Sequence, residues 1–195
     1  MTGAPEPPAR VRWNARYERE GAEAFGRAPS DWLLLQRPRL EATTRGRALD
    51  IACGGGRNAL FLAEIGFEVD AIDVSDVAIE HHQSVAAQRA LSVNAVRADL
   101  EDATFPHPSH QVIINFNVLL RSLFEAIERA LAPGGLLLFD TWREEPGGRR
   151  HALRQGELLR AFTGLEILDH VERREAGEQL REALVARKPE ERRQS

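Results

Sequence analysis

The apolar positions of this chain change period along its length, and the changes mark its elements. Short apolar runs at 48–51, 67–72, 93–97, 112–116 and 136–140 read as buried strands. Between them, amphipathic stretches at 58–65, 75–89 and 119–131 read as helices. Gly66 ends the first of these, Ser75 caps the second, and Pro133-Gly134-Gly135 breaks the third. Alternating strands and helices predict a parallel sheet with helices on both faces. The ending differs. After a short helix at 156–162, residues 165–173 and 179–187 alternate with a period of two around Glu175-Ala176-Gly177-Glu178. Two strands joined this closely are antiparallel neighbours. Ahead of the sheet, 11–20 places Trp13 and Tyr17 on one helix face. Residues 31–40 form a helix capped by Ser30 and anchored by Trp32, Leu34 and Leu35. Both segments are expected to cover the ligand edge of the sheet. The division that follows is a helical cap over 1–45, an α/β domain over 46–188, and a polar tail over 189–195. The expected fold is a Rossmann-like doubly wound sheet, mostly parallel, with an antiparallel C-terminal hairpin strand.

Composition narrows the partners. The chain has 195 residues, enough for one domain with a substantial core. Its net charge is −4, and Lys188 is its only lysine. This mild acidity gives no nucleic-acid footprint, so a small-molecule acceptor is the expected partner and nucleic acid is not. No apolar run approaches the roughly 20 residues of a membrane span. Residues 2–6 lack the apolar core of a signal peptide, and Cys53, the sole cysteine, suits a reducing compartment. The expected location is therefore cytoplasmic, without membrane contact. No metal is expected. His81 and His82 are adjacent on a helix and point different ways, and His107 and His110 fall in a loop without zinc-like spacing. Cys53 has no identifiable base. The oligomeric state leaves no mark on the sequence.

The chemistry concentrates in Asp50-Ile51-Ala52-Cys53-Gly54-Gly55-Gly56-Arg57-Asn58. It joins a strand to a helix start, where free N–H groups can receive an anion. Glycine there lets a ligand lie against the backbone. Asp73 closes the second strand, where an acid can hold the two hydroxyls of a ribose. Two cofactors fit. Gly54, Gly56 and Ala59 satisfy the dinucleotide pattern Gly-x-Gly-x-x-Gly/Ala. Asp50, Ala52, Gly54 and Gly56 also satisfy Asp/Glu-x-Gly/Ala-x-Gly-x-Gly, the motif of S-adenosylmethionine-dependent methyltransferases. The acid at Asp50 and the hairpin ending favour the second. Arg57 opposes the helix dipole at a helix start, so either an anion offsets it or its stem carries the charge out to solvent.

Residues 13–187 resemble the class I methyltransferases, and more narrowly the tellurite-resistance branch. Four matches carry the resemblance: Trp13-Asn14-Ala15-Arg16-Tyr17, Ala48 to Asn58 with its Gly-Arg-Asn ending, Ala71-Ile72-Asp73-Val74-Ser75, and Leu131-Ala132-Pro133-Gly134-Gly135. The resemblance implies S-adenosyl-L-methionine as cofactor. It implies cofactor contacts from Asp50, Ala52, Gly54, Gly56, Arg57, Asp73, Val74, Asp99, Leu100 and Asn115, with Asp99 on the adenine amino group and Leu100 and Ile72 flanking the ring. Asn58 would cap the helix or orient the same group as Arg57. On the acceptor side it implies Arg121, Trp142 and Tyr17, with Asn117 and His151 near them. The chain departs from the branch at Gln111, where relatives carry an acid, and at Val118, where a Tyr is common. Both departures are expected near the acceptor.

The implied activity is methyl transfer to a small molecule, in-line from a sulfonium. The cofactor supplies the activation, so the protein mainly positions and desolvates. A soft nucleophile (a thiol, a selenium or a tellurium species) needs no strong base, which suits a chain without an evident one. The alternative is a non-catalytic module or sensor that keeps the cofactor fold.

Overall fold

The sheet begins at Arg47, and its first strand lies inside it, flanked on both sides. In the computed structural model, which describes residues 7–23, 26–102, 104–105, 108–146, 151–174 and 179–190, β1 (Arg47–Ile51) lies between β2 (Glu68–Asp73) and β4 (His110–Phe116). The full order is β3-β2-β1-β4-β5-β7-β6, with β3 spanning Val93–Arg97, β5 Leu131–Trp142, β6 Glu166–Arg173 and β7 Arg181–Arg187. The pairs from β3 through β5 are parallel, while β7 pairs antiparallel with both β5 and β6. This is the seven-stranded methyltransferase arrangement. The order reverses between β1 and β4, so a crevice opens there at the carboxyl ends of the strands, where α/β sheets bind ligands.

Each face buries its own core. On one side α2 (Asp31–Leu35), α3 (Arg37–Ala42), α4 (Arg57–Glu64) and α5 (Asp76–Gln88) set Trp32, Leu33, Leu40, Phe61, Leu62 and Ile79 against the sheet. On the other, α6 (Phe124–Ala130) and α7 (Glu157–Ala161) bring Ile127 and Leu158 onto Ile113, Leu137 and Leu184. Phe124, Phe139 and Phe162 meet there with ring centroids 5.3–6.0 Å apart, offset contacts that add to simple area burial. Strand β4 is buried along nearly all its length, as a strand covered on both faces should be.

Several boundaries differ from the sequence expectation. The stretch 31–40 is two helices, parted at Gln36. Pro38 has no N–H and its ring excludes the carbonyl four residues back, so it is accepted only in the first turn of a fresh helix, α3. The stretch 119–131 is a 3-10 turn (Arg121–Leu123) followed by the short α6. Strand β5 starts at Leu131 rather than 136, because Leu131 already pairs with His110 before a register shift admits Pro133-Gly134-Gly135 as a bulge. His110 is not in a loop. It is a buried strand residue whose Nε2 lies 3.3 Å from Asp70 Oδ2, and the Arg47 guanidinium also donates to that carboxylate. Gln111 sits at the amino end of β4, away from the ligand edge, where its Oε1 accepts from the Arg47 N–H at 3.0 Å. The expectation that it faces the acceptor is therefore wrong. The turn at 175–178, His107 and the tail beyond 190 lie outside the described residues.

Gly135 gives this bulge a test. A Cβ there would stand 2.8 Å from the Ala132 carbonyl oxygen and 2.9 Å from that of His110, both backbone atoms. Gly135→Ala is expected to lower stability by about 2 kcal/mol, read as a lower urea midpoint at unchanged slope; an unaltered midpoint would refute the tight register assigned here.

Candidate functional site

Strand β1 delivers Ala52 into a left-handed turn with φ +58°. An alanine there is strained where glycine is not. The turn continues through Gly54 (φ +53°) and Gly56 (φ +90°), and Gly56 starts α4 in the left-handed conformation. Asp73, last residue of β2, fixes this loop. Its Oδ2 accepts the Gly54 N–H and its Oδ1 the Ser75 N–H, each at 2.9 Å. Burial pushes the Asp73 carboxyl above the ordinary range, while these N–H groups pull it back.

Asp50 stands beneath the loop and is buried. It accepts the Ala59 N–H, but its Oδ2 has no hydrogen-bond partner. Burial, with the Asp73 charge nearby, raises its pKa to about 8. Cys53 is buried beside both acids and its thiol is pushed up by burial and by them, which keeps it an unreactive thiol. Arg57 occupies the first position of α4. Burial lowers its pKa and Arg181 adds to the shift, while Asp50 and Asp31 oppose it. Its Nη1 donates to the Ala28 carbonyl at 3.4 Å. Asn58 orients the incoming segment by accepting the Ser30 N–H at 2.9 Å.

The N-terminal helix α1 (Ala9–Glu20) lies over the loop. Asn14 accepts the Ser75 hydroxyl at 2.8 Å and donates to Asp76 at 3.0 Å. Tyr17 is buried, and its hydroxyl lies 2.5 Å from where a Cβ on Gly54 would stand. Tyr17, expected on the acceptor, thus rests on the glycine loop. Its phenol is raised by burial first and by Asp73 next. A Cβ on Gly55 would overlap the Ala22 carbonyl, and one on Gly56 the His82 ring.

The other expected residues separate. Val74 is half-buried beside Asp73, and Leu100 is buried with Ile72 packed against its cluster. Asp99 is exposed, its Oδ1 turned back onto the Glu101 N–H at 3.1 Å. Asn115 is buried and donates to the Val118 carbonyl at 3.0 Å. Arg121 is committed elsewhere. Its fork binds both oxygens of Glu157 and the Ala152 carbonyl, tying the 3-10 turn to α7, and Glu157 raises its pKa. His151 is exposed.

A second charged centre was not expected. Asp140, buried near the end of β5, accepts from Arg181 Nε at 3.1 Å and from Arg173 Nη2 at 2.6 Å. Arg181 Nη2 also donates to Asn117 Oδ1 at 2.7 Å, and Asn117 itself has φ +63°, a conformation asparagine tolerates. Trp142, Arg181 and Arg173 share one register across β5, β7 and β6, so their side chains fall on one face with Asp140. The Arg181 guanidinium lies 5.1 Å over Trp142, and that of Arg173 lies 5.6 Å over Trp32. Arg173 Nη1 is buried without a partner. A buried guanidinium, Arg181, and a half-buried one, Arg173, therefore share one carboxylate at the ligand edge. The available signal was positional: an acid near the end of a strand, as Asp73 is, and two arginines opposite each other across a hairpin.

Comparison with known proteins agrees with this fold. Residues 48–135 match the methyltransferase domain family. The chain is thus similar to methyltransferases over just under half of its length. Its relatives include YqeM of Bacillus subtilis (strain 168), 34% identical over 134 residues, which cover 60% of this chain and 51% of that one. The chain spans about half the length of the curated relatives it matches. Among solved structures, the cyclase SpnF superposes with a TM-score of 0.73 at 21% identity, over 98% of this chain and 100% of that one. TehB from Haemophilus influenzae gives a TM-score of 0.73 at 17% identity, over 90% of this chain and 67% of that one. Identities this low bear on the fold alone. The cofactor of class I methyltransferases is S-adenosylmethionine, and the residues here suit it. Asp73 offers a carboxylate at the end of β2 for a diol, and Asp50 holds an unpartnered buried oxygen beneath the loop for an amino group. Among the described residues there is no metal-binding group of three or more His, Cys, Asp or Glu, and no helix long and apolar enough to cross a membrane.

Asp50 sets a pH dependence. A carboxyl raised from 3.8 to about 8 on folding holds its proton in the native state and loses it in the unfolded chain. Its contribution is complete below about pH 4 and is lost as pH rises towards 8. Asp50→Asn is therefore expected to be more stable than the parent at pH 8.5, with the advantage shrinking towards pH 4. Denaturation at both pH values checks this, and a pH-independent difference contradicts it.

Proposed function

We propose that this chain is a class I methyltransferase that uses S-adenosylmethionine to methylate a small anionic molecule through a soft nucleophile. The observation that carries the cofactor half is the Asp73 carboxylate, which grips the glycine loop through Gly54 and the head of α5 through Ser75. One rigid unit thus presents the ribose acid and the glycine turn together. In this reading Asp73 takes the ribose hydroxyls, Asp50 the amino end, and Gly54 and Gly56 the close approach of the methionine portion. Val74 and Leu100 flank the adenine.

The Asp140, Arg173 and Arg181 centre supports the acceptor half. Arg173 and Arg181 exceed Asp140 in charge, and the field of Arg181 reaches Arg57 at the glycine loop. An anion between the loop and the hairpin would be drawn by both. Trp32 and Trp142 would wall it and keep water out, which strengthens charge–charge attraction. A thiolate, selenolate or reduced tellurium oxyanion attacks without a base. Trp142 keeps the acceptor role expected of it, as a wall. The anion-holding role expected of Arg121 passes to Arg181 and Arg173, because Arg121 is neutralised by Glu157.

The second reading, a module that holds the cofactor without turning it over, draws on the covering of the loop by Tyr17 and Ala22. Calorimetric titration with S-adenosylmethionine, followed by turnover against thiol, selenium and tellurium acceptors, separates the two. Saturable binding with turnover is expected. Binding without turnover against any acceptor favours the module. Asp73→Ala is expected to weaken binding at least tenfold, and undiminished affinity in a folded Asp73→Ala protein sinks the cofactor assignment.

A further inference from the structure

His82 is the most confined histidine of the loop region. It projects from α5 with 0% exposure, and neither ring nitrogen has a hydrogen-bond partner. A neutral imidazole always carries one N–H, and leaving such a group unpaired in the interior is destabilising. An aromatic hydrocarbon would fill the same space without that cost. The ring also has a defined neighbour: a Cβ on Gly56 would overlap Cγ, Cδ2 and Nε2 together, so the imidazole lies flat against the Gly56 backbone. Gly56 holds φ +90° at that point and begins α4.

We propose that His82 is a proton-controlled positioning residue for the glycine loop: its neutral ring seats the Gly56 turn, and its protonated ring leaves that place and loosens the cofactor's seat. The proposal rests on the cofactor reading of the loop. Its physical basis is confinement. An imidazolium needs two acceptors, and no protein group stands within hydrogen-bond reach of either ring nitrogen. Burial accordingly lowers the pKa of the ring to about 4, with His81 adding to the shift. Other ionisable groups surround the same loop: Asp50 and Asp73 beneath it, Arg57 beyond Gly56, Tyr17 over Gly54, and Glu23 at 4.0 Å from His81.

The sign follows from linkage. A histidine of ordinary pKa 6.5 when released, and about 4 when seated, favours release as pH falls from 6.5 towards 4. The seated form is fully favoured above pH 6.5. By pH 5.0 the balance has moved up to roughly 30-fold towards release.

The test uses S-adenosylhomocysteine as probe, titrated calorimetrically between pH 7.5 and 5.0 against the full chain and against His82→Phe. His82→Leu serves as a second variant should the larger ring not fit. The parent is expected to lose at least fivefold in affinity across that range. The variant's loss is expected to fall to what Asp50 and Asp73, present in both proteins, impose. In parallel, histidine NMR of the ligand-free protein is expected to show His82 titrating well below pH 6 while the Gly54 and Gly56 amide signals move with it. Superimposable affinity profiles with unmoved glycine amides overturn the proposal and leave the cofactor reading standing. Absence of binding at every pH, with coupled His82 and Gly56 signals, overturns the cofactor reading and leaves the seat of Gly56 on His82 in place.

Discussion

The grip of one carboxylate on two backbone N–H groups organises this molecule. Asp73 ends β2 and takes the Gly54 and Ser75 N–H groups on separate oxygens. The Gly54 bond closes the turn out of β1. The Ser75 bond sets the residue whose hydroxyl then caps α5 by accepting the Ala78 N–H. That same hydroxyl donates to Asn14, so the N-terminal helix is held by the group that Asp73 has placed. Strand, glycine turn, helix start and covering helix converge on one side chain. Buried carboxylates are costly unless hydrogen-bonded, and here the cost is offset by donors that would themselves be orphans at a turn and a helix start.

The far end of the ligand edge repeats the arrangement with other chemistry. Asp140 also lies near the end of a strand and is also buried, but its partners are guanidiniums from the hairpin rather than backbone N–H groups. Backbone donors are fixed in place and neutral overall. Guanidiniums bring charge, and two of them exceed the one acid they share. The first centre therefore holds a shape, and the second holds a field. Removing Asp140 would leave the buried Arg181 without its carboxylate, a defect that typically costs about 3–5 kcal/mol. So the charge asymmetry is built into the stability of the hairpin as well as into the edge it faces.

The sheet and the first half of the site were legible in the sequence because they depend on local pattern. Apolar runs, Ser75 as a cap and glycines between strand and helix are signals within a few residues of one another. The hairpin ending was legible for the same reason, and its antiparallel pairing follows from its short connection. What escaped depends on pairing between distant segments. Leu131 joins β5 only because His110 lies opposite it, and the Pro-Gly-Gly bulge that follows reads locally as a break. Gln111 looks like an acceptor-side departure until β4 is known to start there, with the Arg47 N–H waiting for its amide oxygen. Arg121 and Arg181 are indistinguishable as letters. The first finds Glu157 from a later helix and is neutralised, while the second finds Asp140 and Asn117 and keeps charge to spare.

The glycines bear on what such a motif can mean. Gly54, Gly55 and Gly56 are each required by groups of this chain itself: the Tyr17 hydroxyl, the Ala22 carbonyl and the His82 ring. A glycine loop is thus compatible with a ligand pressed on it and equally with its own protein pressed on it, and the motif alone cannot tell these apart. The acids can. A chain that merely needed a tight turn would have no use for Asp50, buried with an unpartnered oxygen, nor for an acid at Asp73 where a serine or asparagine could also accept N–H bonds. An orphaned buried acceptor lowers stability, and it persists most readily where a partner arrives from outside the fold. The glycines therefore describe the shape of the site, and the two acids beneath and beside them carry its chemical meaning.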